Sequence, residues 1–173
     1  AFLDKLERFN DVPHRVKIED KFMESSELAL LLENMKVEEW RDLTMFLALS
    51  GLRFGEAAAL TRSDVDTKNR NIRVDKNYDY INNVTTSTKT TCSERDVYMQ
   101  DELAALCRKI KAASFASTTI QRINSQNLFF SDENGEHIKY YAYNKYLREN
   151  TLRLLGKAYT VHSLRHTHAS LLL

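Results

Sequence analysis

The sequence predicts an α+β domain that is mainly α-helical and contains a small three-stranded antiparallel sheet. Apolar residues recur at helical spacing before residue 60 and again after residue 100. Between these two regions lie short segments rich in β-branched and aromatic residues, which favour strands. The chain has 173 residues, of which 43% are hydrophobic, so it is long enough to form one core and short for two.

Three helices are predicted in the first third of the chain. The first is indicated by apolar residues at i, i+3, i+4 and i+7, namely Leu28, Leu31, Leu32 and Met35. Ser25 or Ser26 suits its N-cap. The second helix is predicted over residues 37–50, and Gly51 suits the left-handed position that follows a helix. A short third helix is predicted over residues 53–60.

The sheet is predicted from three short segments with high β-propensity. They cover residues 71–76, 80–88 and 95–99. Residues 66–71 and 87–94 are rich in polar turn formers and are predicted to connect the strands. Segments this close in sequence pair most simply as antiparallel neighbours.

Helical spacing returns after the predicted sheet. Asp101 suits the cap of a helix whose apolar face consists of Leu103, Leu106, Cys107 and Ile110. Residues 117–126 are predicted to form another short helix. The pair Asn134-Gly135 indicates a turn.

Two helices are predicted at the end of the sequence. One covers residues 140–155 and is ended by Gly156, and the last begins near Thr160. The last helix runs into an uncapped apolar stretch, which leads us to expect that the natural chain continues. We therefore expect residues 1–20 to be a connector and residues 21–173 to be a C-terminally incomplete domain.

The charges are distributed unevenly along the chain. Residues 1–60 carry 8 basic and 12 acidic side chains, whereas residues 61–173 carry 17 basic and 12 acidic ones. Residues 139–168 contain six basic residues, three histidines and one acid. An anionic partner on one face is one explanation, and scatter over solvated helices is the other.

Composition argues against membrane and exported proteins. No apolar run approaches the length of a membrane-spanning helix, and no basic and apolar leader opens the sequence. Cys92 and Cys107 form neither a CxxC motif nor a disulfide framework. We expect two reduced thiols and a cytoplasmic location.

The first candidate site is the segment Gly51-Leu52-Arg53-Phe54-Gly55-Glu56. Arg53 is predicted at the opening of a helix, where a rigid element holds a guanidinium that is able to grip a phosphate through two parallel hydrogen bonds. Glu56 is predicted on the same helical face and is suited to orienting Arg53 or a nearby histidine. A simple surface ion pair between the two is the more frequent arrangement.

The second candidate site is the start of the last helix. His162 and Arg165 are three residues apart, so both side chains are predicted to face one site. The imidazole is suited to proton transfer and the guanidinium to a phosphate. His166 and His168 add the alternative of a metal site, although no acidic or cysteine ligand lies nearby in sequence.

The third candidate is Lys89, in the segment Thr86-Ser87-Thr88-Lys89-Thr90-Thr91 between two predicted strands. A turn lysine there is able to reach a phosphate or to protonate a leaving oxygen. Most lysines in turns are merely solvated, so this feature is weak by itself.

Taken together, the three segments closely resemble the catalytic domain of tyrosine recombinases, in particular the integrases of phages and integrative mobile elements. The resemblance rests on Gly-Leu-Arg-x-Gly-Glu, a lysine within Thr-Lys-Thr and His-x-x-Arg-His-Thr-His-Ala-Ser, and it extends from about Met23 to Leu173. It implies phosphoryl transfer on DNA without a metal or other cofactor. A tyrosine attacks a backbone phosphate, a 3′-phosphotyrosyl link forms, and a 5′-hydroxyl leaves.

The resemblance also implies a role for each candidate residue. Arg53 and Arg165 would hold the non-bridging oxygens of the phosphate and stabilise the charge of the transition state. Lys89 would be the general acid toward the 5′-oxygen. His162 would assist proton transfer or hold the phosphate. Glu56 would support the residues that contact the phosphate, without contacting the phosphate itself.

The sequence departs from the family pattern at the nucleophile. The eight tyrosines are Tyr78, Tyr80, Tyr98, Tyr140, Tyr141, Tyr143, Tyr146 and Tyr159. The family places its nucleophile downstream of His-x-x-Arg, and none of these residues follows Arg165. We therefore expect this chain to be unable to cleave DNA in cis, and we interpret the tyrosines at 140–146 as core and groove residues of a helix.

The resemblance implies double-stranded DNA as the partner and a synaptic tetramer as the assembly of the intact protein. Three alternatives remain open at this point. They are a type IB topoisomerase, a DNA-binding regulator without catalytic activity, and a metal-dependent hydrolase built on His162, His166 and His168. Lys76 is the second choice for the general acid.

Overall fold

The computed structural model describes residues 21–87, 93–116 and 126–172. The helices are α1 (Ser25–Asn34), α2 (Glu38–Ser50), α3 (Phe54–Ala59), α4 (Asp101–Ala116), α5 (Tyr140–Leu155) and α6 (Val161–Leu171), with a 3-10 turn at Arg62–Asp64. The strands are β1 (Val65–Asp66), β2 (Asn71–Val74), β3 (Lys76–Asp79), β4 (Val84–Ser87) and β5 (Arg95–Tyr98). The predicted connector, the predicted helix at 117–126, Lys89 and Cys92 lie outside the described residues, apart from Gln126, which is in a turn.

The three N-terminal helices are confirmed, but the prediction of a serine N-cap is wrong. Glu24 is the N-cap of α1, and its backbone N–H donates to the Glu27 carboxylate over 2.9 Å. Ser25 is the first residue inside the helix. Gly51 follows α2 with a φ of 67°, so the left-handed position predicted for it is confirmed.

The mainly α fold with a three-stranded antiparallel sheet is confirmed, in the strand order β1-β2-β5. The prediction of one strand over residues 80–88 is wrong, because β3 and β4 form a separate two-stranded hairpin. Its turn is stabilised by the Asp79 carboxylate, which accepts the backbone N–H groups of Ile81 and Asn82 over 3.0 and 3.2 Å. These local hydrogen bonds outweigh the β-propensity of the tyrosine and isoleucine in the turn.

The core lies between the helices and the sheets. Helix α2 packs against α4 and α6, α1 packs against α5, and α3 packs against β3. Gly55 permits the close approach of α3 to β3, since a Cβ atom there would collide with the Asn77 side chain and the Tyr78 carbonyl. The start of α3 therefore lies directly beside the β3–β4 hairpin.

The C-terminal elements follow the sequence prediction closely. Helix α5 ends at Gly156, which has a φ of 71°, and Thr160 is the N-cap of α6. The Thr167 hydroxyl of α6 accepts the buried backbone N–H of Met23 over 3.0 Å. This hydrogen bond ties α6 to the segment that precedes α1.

Cys107 lies in the core, where burial raises the pKa of its thiol to about 12. It is therefore a packing residue rather than a reactive thiol. Within residues 21–87, 93–116 and 126–172, none of the helices has both the length and the apolar character needed to cross a bilayer.

Candidate phosphate-binding site

A hollow of about 470 Å³ opens where the starts of α3, α5 and α6 meet the β3–β4 hairpin. Three residues with basic side chains line it, namely Arg53, His162 and Arg165. The remaining lining residues are Leu52, Phe54, Gly55, Asn77, Tyr78, Asp79, Tyr80, Ile81, Thr86, Tyr140 and Val161. We call this feature the arginine hollow. The structure thus brings together three of the residues singled out in the sequence.

Arg53 is the N-cap of α3, and its side chain is 63% exposed. Its Nη1 lies 3.4 Å from Oε1 of Glu56, which is a long contact for a charged pair. An exposed ion pair of this length contributes little, so the guanidinium remains available to an anion in the hollow.

Glu56 is 5% exposed and has three closer donors than the Arg53 guanidinium. Its Oε2 accepts the backbone N–H of Arg53 over 2.9 Å. Nη1 and Nη2 of Arg95 donate to its two oxygens over 3.0 and 2.9 Å. Burial alone would raise the pKa of Glu56, but these hydrogen bonds outweigh burial and hold the pKa below its ordinary value.

Arg95, the first residue of β5, was not recognised in the sequence as part of the site. The only sequence signal is the alternation of the strand, which puts Arg95 on the same face as the half-buried Val97. A cation on an inward face needs a carboxylate partner. Nothing local indicates that this partner is Glu56, which lies 39 residues earlier in the chain.

Arg165 lies in the second turn of α6 and is half-buried. Its Nη1 donates to the backbone carbonyl of Gly51 over 2.9 Å, two residues before Arg53. Within the described part of the chain, no carboxylate forms an ion pair with Arg165. Its charge therefore remains uncompensated at the wall of the hollow.

The three histidines of α6 do not converge on one point. His162 is exposed and lines the arginine hollow. The rings of His162 and His166 are edge-on to each other, with their centroids 4.9 Å apart. Nδ1 of His168 instead donates to the Ala48 carbonyl of α2 over 3.0 Å. No cluster of three or more metal-ligating side chains occurs among the residues described.

The pKa of His166 is lowered from its ordinary value. Partial burial is the largest cause, and the positive charges of His162, Lys21 and Arg165 act in the same direction. Such a positive environment disfavours a cation at this position. The same positive charges favour an anion near the start of α6.

Of the two lysines predicted as general acids, only Lys76 lies within the described residues. Lys89 lies outside the described residues, in the segment between β4 and β5. Lys76, the second choice, donates to Asp64 over 2.9 Å and to Asp75 over 2.7 Å. Burial lowers its pKa, but these two carboxylates outweigh burial and raise it, and Lys76 does not line the arginine hollow. The structure therefore does not support Lys76 in that role.

The tyrosines at 140–146 include both core and groove residues, as the sequence predicts. Tyr143 is fully buried, and its hydroxyl lies 2.7 Å from the Thr44 hydroxyl. Burial raises the pKa of Tyr143 despite this hydrogen bond. Tyr140 lines the hollow and stacks on Tyr80 with ring centroids 4.1 Å apart. Stacked aromatic side chains thus form part of the wall of the hollow.

The single acid among the lining residues is already satisfied within the hairpin turn. Besides two backbone N–H groups, the Asp79 carboxylate accepts the side-chain amide of Asn82 over 2.7 Å. These hydrogen bonds lower the pKa of Asp79. Arg53 and Arg165 therefore dominate the charge of the hollow, and their guanidinium donors suit a phosphate or sulfate ion.

The sequence profile of the Phage integrase family matches residues 21–173. The chain belongs to this family. The Prophage ps2 probable integrase of Lactococcus lactis subsp. lactis (strain IL1403) is 30% identical over 168 residues, which cover 90% of this chain and 44% of that protein. The integrase of Staphylococcus phage L54a is 31% identical over 136 residues, covering 72% of this chain and 37% of that protein. The chain spans less than half the length of these curated relatives.

Solved structures share the fold of this family member. The Tn1549 transposon integrase in complex with circular intermediate DNA superposes with a TM-score of 0.70 at 21% identity, over 85% of this chain and 51% of that one. XerA recombinase superposes with a TM-score of 0.68 at 22% identity, over 87% of this chain and 49% of that one. At these identities the likeness establishes the fold.

Proposed function

We propose that residues 21–173 belong to the catalytic domain of a site-specific DNA recombinase, which breaks and rejoins DNA through a 3′-phosphotyrosyl intermediate. The observation that carries the proposal is that Arg53, Arg165 and His162, far apart in sequence, line one hollow. Family membership supports it. Residues 1–20 are proposed to be a connector.

In this proposal the two arginines bind the scissile phosphate. Arg53 and Arg165 donate to its non-bridging oxygens, because both residues line the hollow and the described carboxylates compensate their charges little or not at all. Fixed cations of this kind stabilise the extra negative charge of a five-coordinate phosphorus more than that of the ground state. His162 donates a further hydrogen bond or transfers a proton near neutral pH.

The nucleophile is assigned to a segment outside these 173 residues. Tyr143 is fully buried and hydrogen-bonded to Thr44, which removes it from any DNA phosphate. Tyr140 is held against Tyr80, and burial raises the pKa of its hydroxyl. Each of these features makes these tyrosines poor nucleophiles.

The proposed partner is double-stranded DNA, and the proposed working assembly of the intact protein is a tetramer on two duplexes. The basic segment 139–168 supports the first part, because it carries six basic residues and one acid, and its Arg165 lines the hollow. One fold relative, the Tn1549 integrase, is itself in complex with DNA.

The test uses the full-length protein and a nicked DNA substrate that traps the covalent intermediate. Arg53→Ala or Arg165→Ala should reduce strand cleavage by about 100-fold or more, the loss expected when a donor to the transition state is removed. The matched control is Arg73→Ala, which removes an exposed arginine of β2 that is paired with Asp75. This variant should cleave normally. Cleavage by both hollow variants within a few-fold of the parent would refute the proposal.

Further assays on the full-length protein separate the alternatives. DNA binding without a covalent adduct would indicate a non-catalytic regulator. Relaxation of supercoiled DNA without strand exchange would indicate a type IB topoisomerase. Loss of cleavage on treatment with a chelator would indicate a metal-dependent hydrolase.

A second experiment addresses the proposed general acid, Lys89. Lys89→Ala should be strongly impaired on ordinary DNA, because the leaving 5′-oxygen then lacks a proton donor. A substrate with a sulfur in the 5′-bridging position has a better leaving group and should restore cleavage. If the sulfur substrate brings no recovery, the general acid lies elsewhere.

A further inference from the structure

Two arginines compete for the single buried carboxylate of Glu56. Arg95 contacts it through two nitrogens at 3.0 and 2.9 Å, whereas the Arg53 guanidinium contacts it through one at 3.4 Å. The side chain of Arg95 is 35% exposed and that of Arg53 is 63% exposed. The closer and more buried arginine thus takes most of the negative charge.

This competition affects how much positive charge Arg53 contributes to the arginine hollow. A carboxylate that is 6% exposed has lost most of its hydration and binds whatever cation is within reach. Among the described side chains, the only other cation in contact with Glu56 is the Arg53 guanidinium. If Arg95 were absent, Glu56 would therefore draw Arg53 toward α3 and away from the hollow.

We propose that Arg95 is a positioning residue, which keeps the Arg53 guanidinium free for phosphate by saturating the carboxylate of Glu56. This inference deepens the proposed function and rests on it. Glu56 acts on Arg53 in two ways: its Oε2 fixes the Arg53 backbone N–H, and its charge attracts the Arg53 side chain. Arg95 leaves the hydrogen bond between Glu56 and the Arg53 backbone N–H in place. Its positive charge cancels the attraction of Glu56 for the Arg53 side chain.

The arrangement also makes a carboxylate at position 56 compatible with a phosphate site beside it. A helix N-terminus of this kind is well served by a carboxylate three residues into the helix. The cost is a negative charge beside a phosphate site. The bidentate contact with Arg95 removes this cost because a planar guanidinium matches both carboxylate oxygens at once.

The test measures sulfate binding to this chain by NMR, with the Nε–Hε signals of Arg53 and Arg165 as reporters. Arg95→Met keeps the length of the side chain and removes its charge. It should shift the Arg53 signal toward that of an ion-paired guanidinium and weaken sulfate binding by about tenfold, the range expected when one charged contact is lost. Arg95→Lys should fall between Arg95→Met and the parent, because a lysine supplies charge without the bidentate fork.

The decisive variant is the double substitution Arg95→Met with Glu56→Gln. Removing the carboxylate should release Arg53, so the double variant should bind sulfate several-fold more tightly than Arg95→Met alone. A merely structural role for Arg95 predicts the opposite, since a second core substitution would add damage. Arg73→Met on the neighbouring strand β2 is the control for loss of an exposed arginine and should bind sulfate like the parent.

The outcomes for Arg95 and for the proposed function are distinguishable. An Arg53 signal unchanged by Arg95→Met, or a double variant no better than Arg95→Met, would overturn the positioning role. Sulfate binding that shifts both reporters, in a protein whose full-length form cleaves no DNA, would overturn the recombinase function and leave the positioning role intact. Urea denaturation of each variant checks that it is folded under the conditions in which sulfate binding is measured.

Discussion

Gly51 lies where α2, α6 and the start of α3 come closest together. Its N–H closes the last turn of α2 on the Leu47 carbonyl, and its own carbonyl accepts Nη1 of Arg165. A Cβ atom at Gly51 would collide with the imidazole of His168. At the scale of the residue, a glycine therefore permits both the left-handed backbone and the approach of the α6 arginine.

Gly51→Ala is expected to destabilise the protein by about 2 kcal/mol or more, because alanine tolerates a positive φ poorly and the added methyl group displaces His168. Gly156→Ala is the matched control. Gly156 has a similar φ of +71°, but nothing lies within 4 Å of the position its Cβ would occupy. Urea denaturation of both variants measures the difference, and equal losses of stability would mean that the contact with His168 contributes nothing.

At the scale of the element, His137 joins the loop before α5 to α3 and β3. Its Nδ1 donates to the Ala58 carbonyl over 3.0 Å, and its ring stacks on Tyr78 with centroids 3.7 Å apart. Burial lowers the pKa of His137, and this effect exceeds the opposing influence of the hydrogen bond and the acids Glu136 and Asp132. The folded state therefore favours the neutral imidazole.

The depressed pKa of His137 predicts a pH-dependent stability. The unfolded chain binds a proton near the ordinary value of 6.5, whereas the folded chain binds it only at lower pH. The contribution is complete above pH 6.5 and is lost as the pH falls through the folded pKa. His137→Gln should reduce the slope of unfolding free energy against pH in this window, as measured by urea denaturation. An unchanged slope would contradict the assignment.

The elements also mark how far local sequence signals extend. The ends of α2 and α5 were predictable because a glycine in the left-handed region leaves a signal within one turn of the helix. The division of the strands into two sheets was not predictable, because the turn at Asp79 depends on side-chain hydrogen bonds that compete with β-propensity. The N-cap of α1 was missed for a similar reason, since Glu24 occupies a position where serine is the commoner residue.

At the scale of the whole molecule, the charge is unevenly distributed along the chain. The basic residues 61–173 supply α5, α6 and most of the lining of the hollow, whereas the acidic residues 1–60 contain α1 and α2 and contribute Arg53 to the hollow. The cations that line the hollow would attract a polyanion to that face of the protein. Binding of duplex DNA should therefore weaken steeply as salt concentration rises.

Lys139, the N-cap of α5 beside the hollow, offers a test of this attraction. Lys139→Gln should lower the affinity for duplex DNA and reduce the slope of log affinity against log salt by about one. Lys109→Gln on α4 is the control. Lys109 is already paired with Asp42 and Glu38 at 2.9 and 3.1 Å, so its removal should leave the slope unchanged. Equal effects of the two variants would mean that DNA does not approach this face.

The sequence by itself determined the six described helices, the glycines that end α2 and α5, the presence of a small antiparallel sheet and three of the residues that line the hollow. These features depend on interactions within a few residues or on motifs that carry their chemistry with them. Only the tertiary structure decided that Arg165 reaches the carbonyl of Gly51, that His168 turns away to α2, and that Arg95 holds Glu56. Such pairings join residues far apart in the chain, and the packing of the core, rather than any local pattern, selects them.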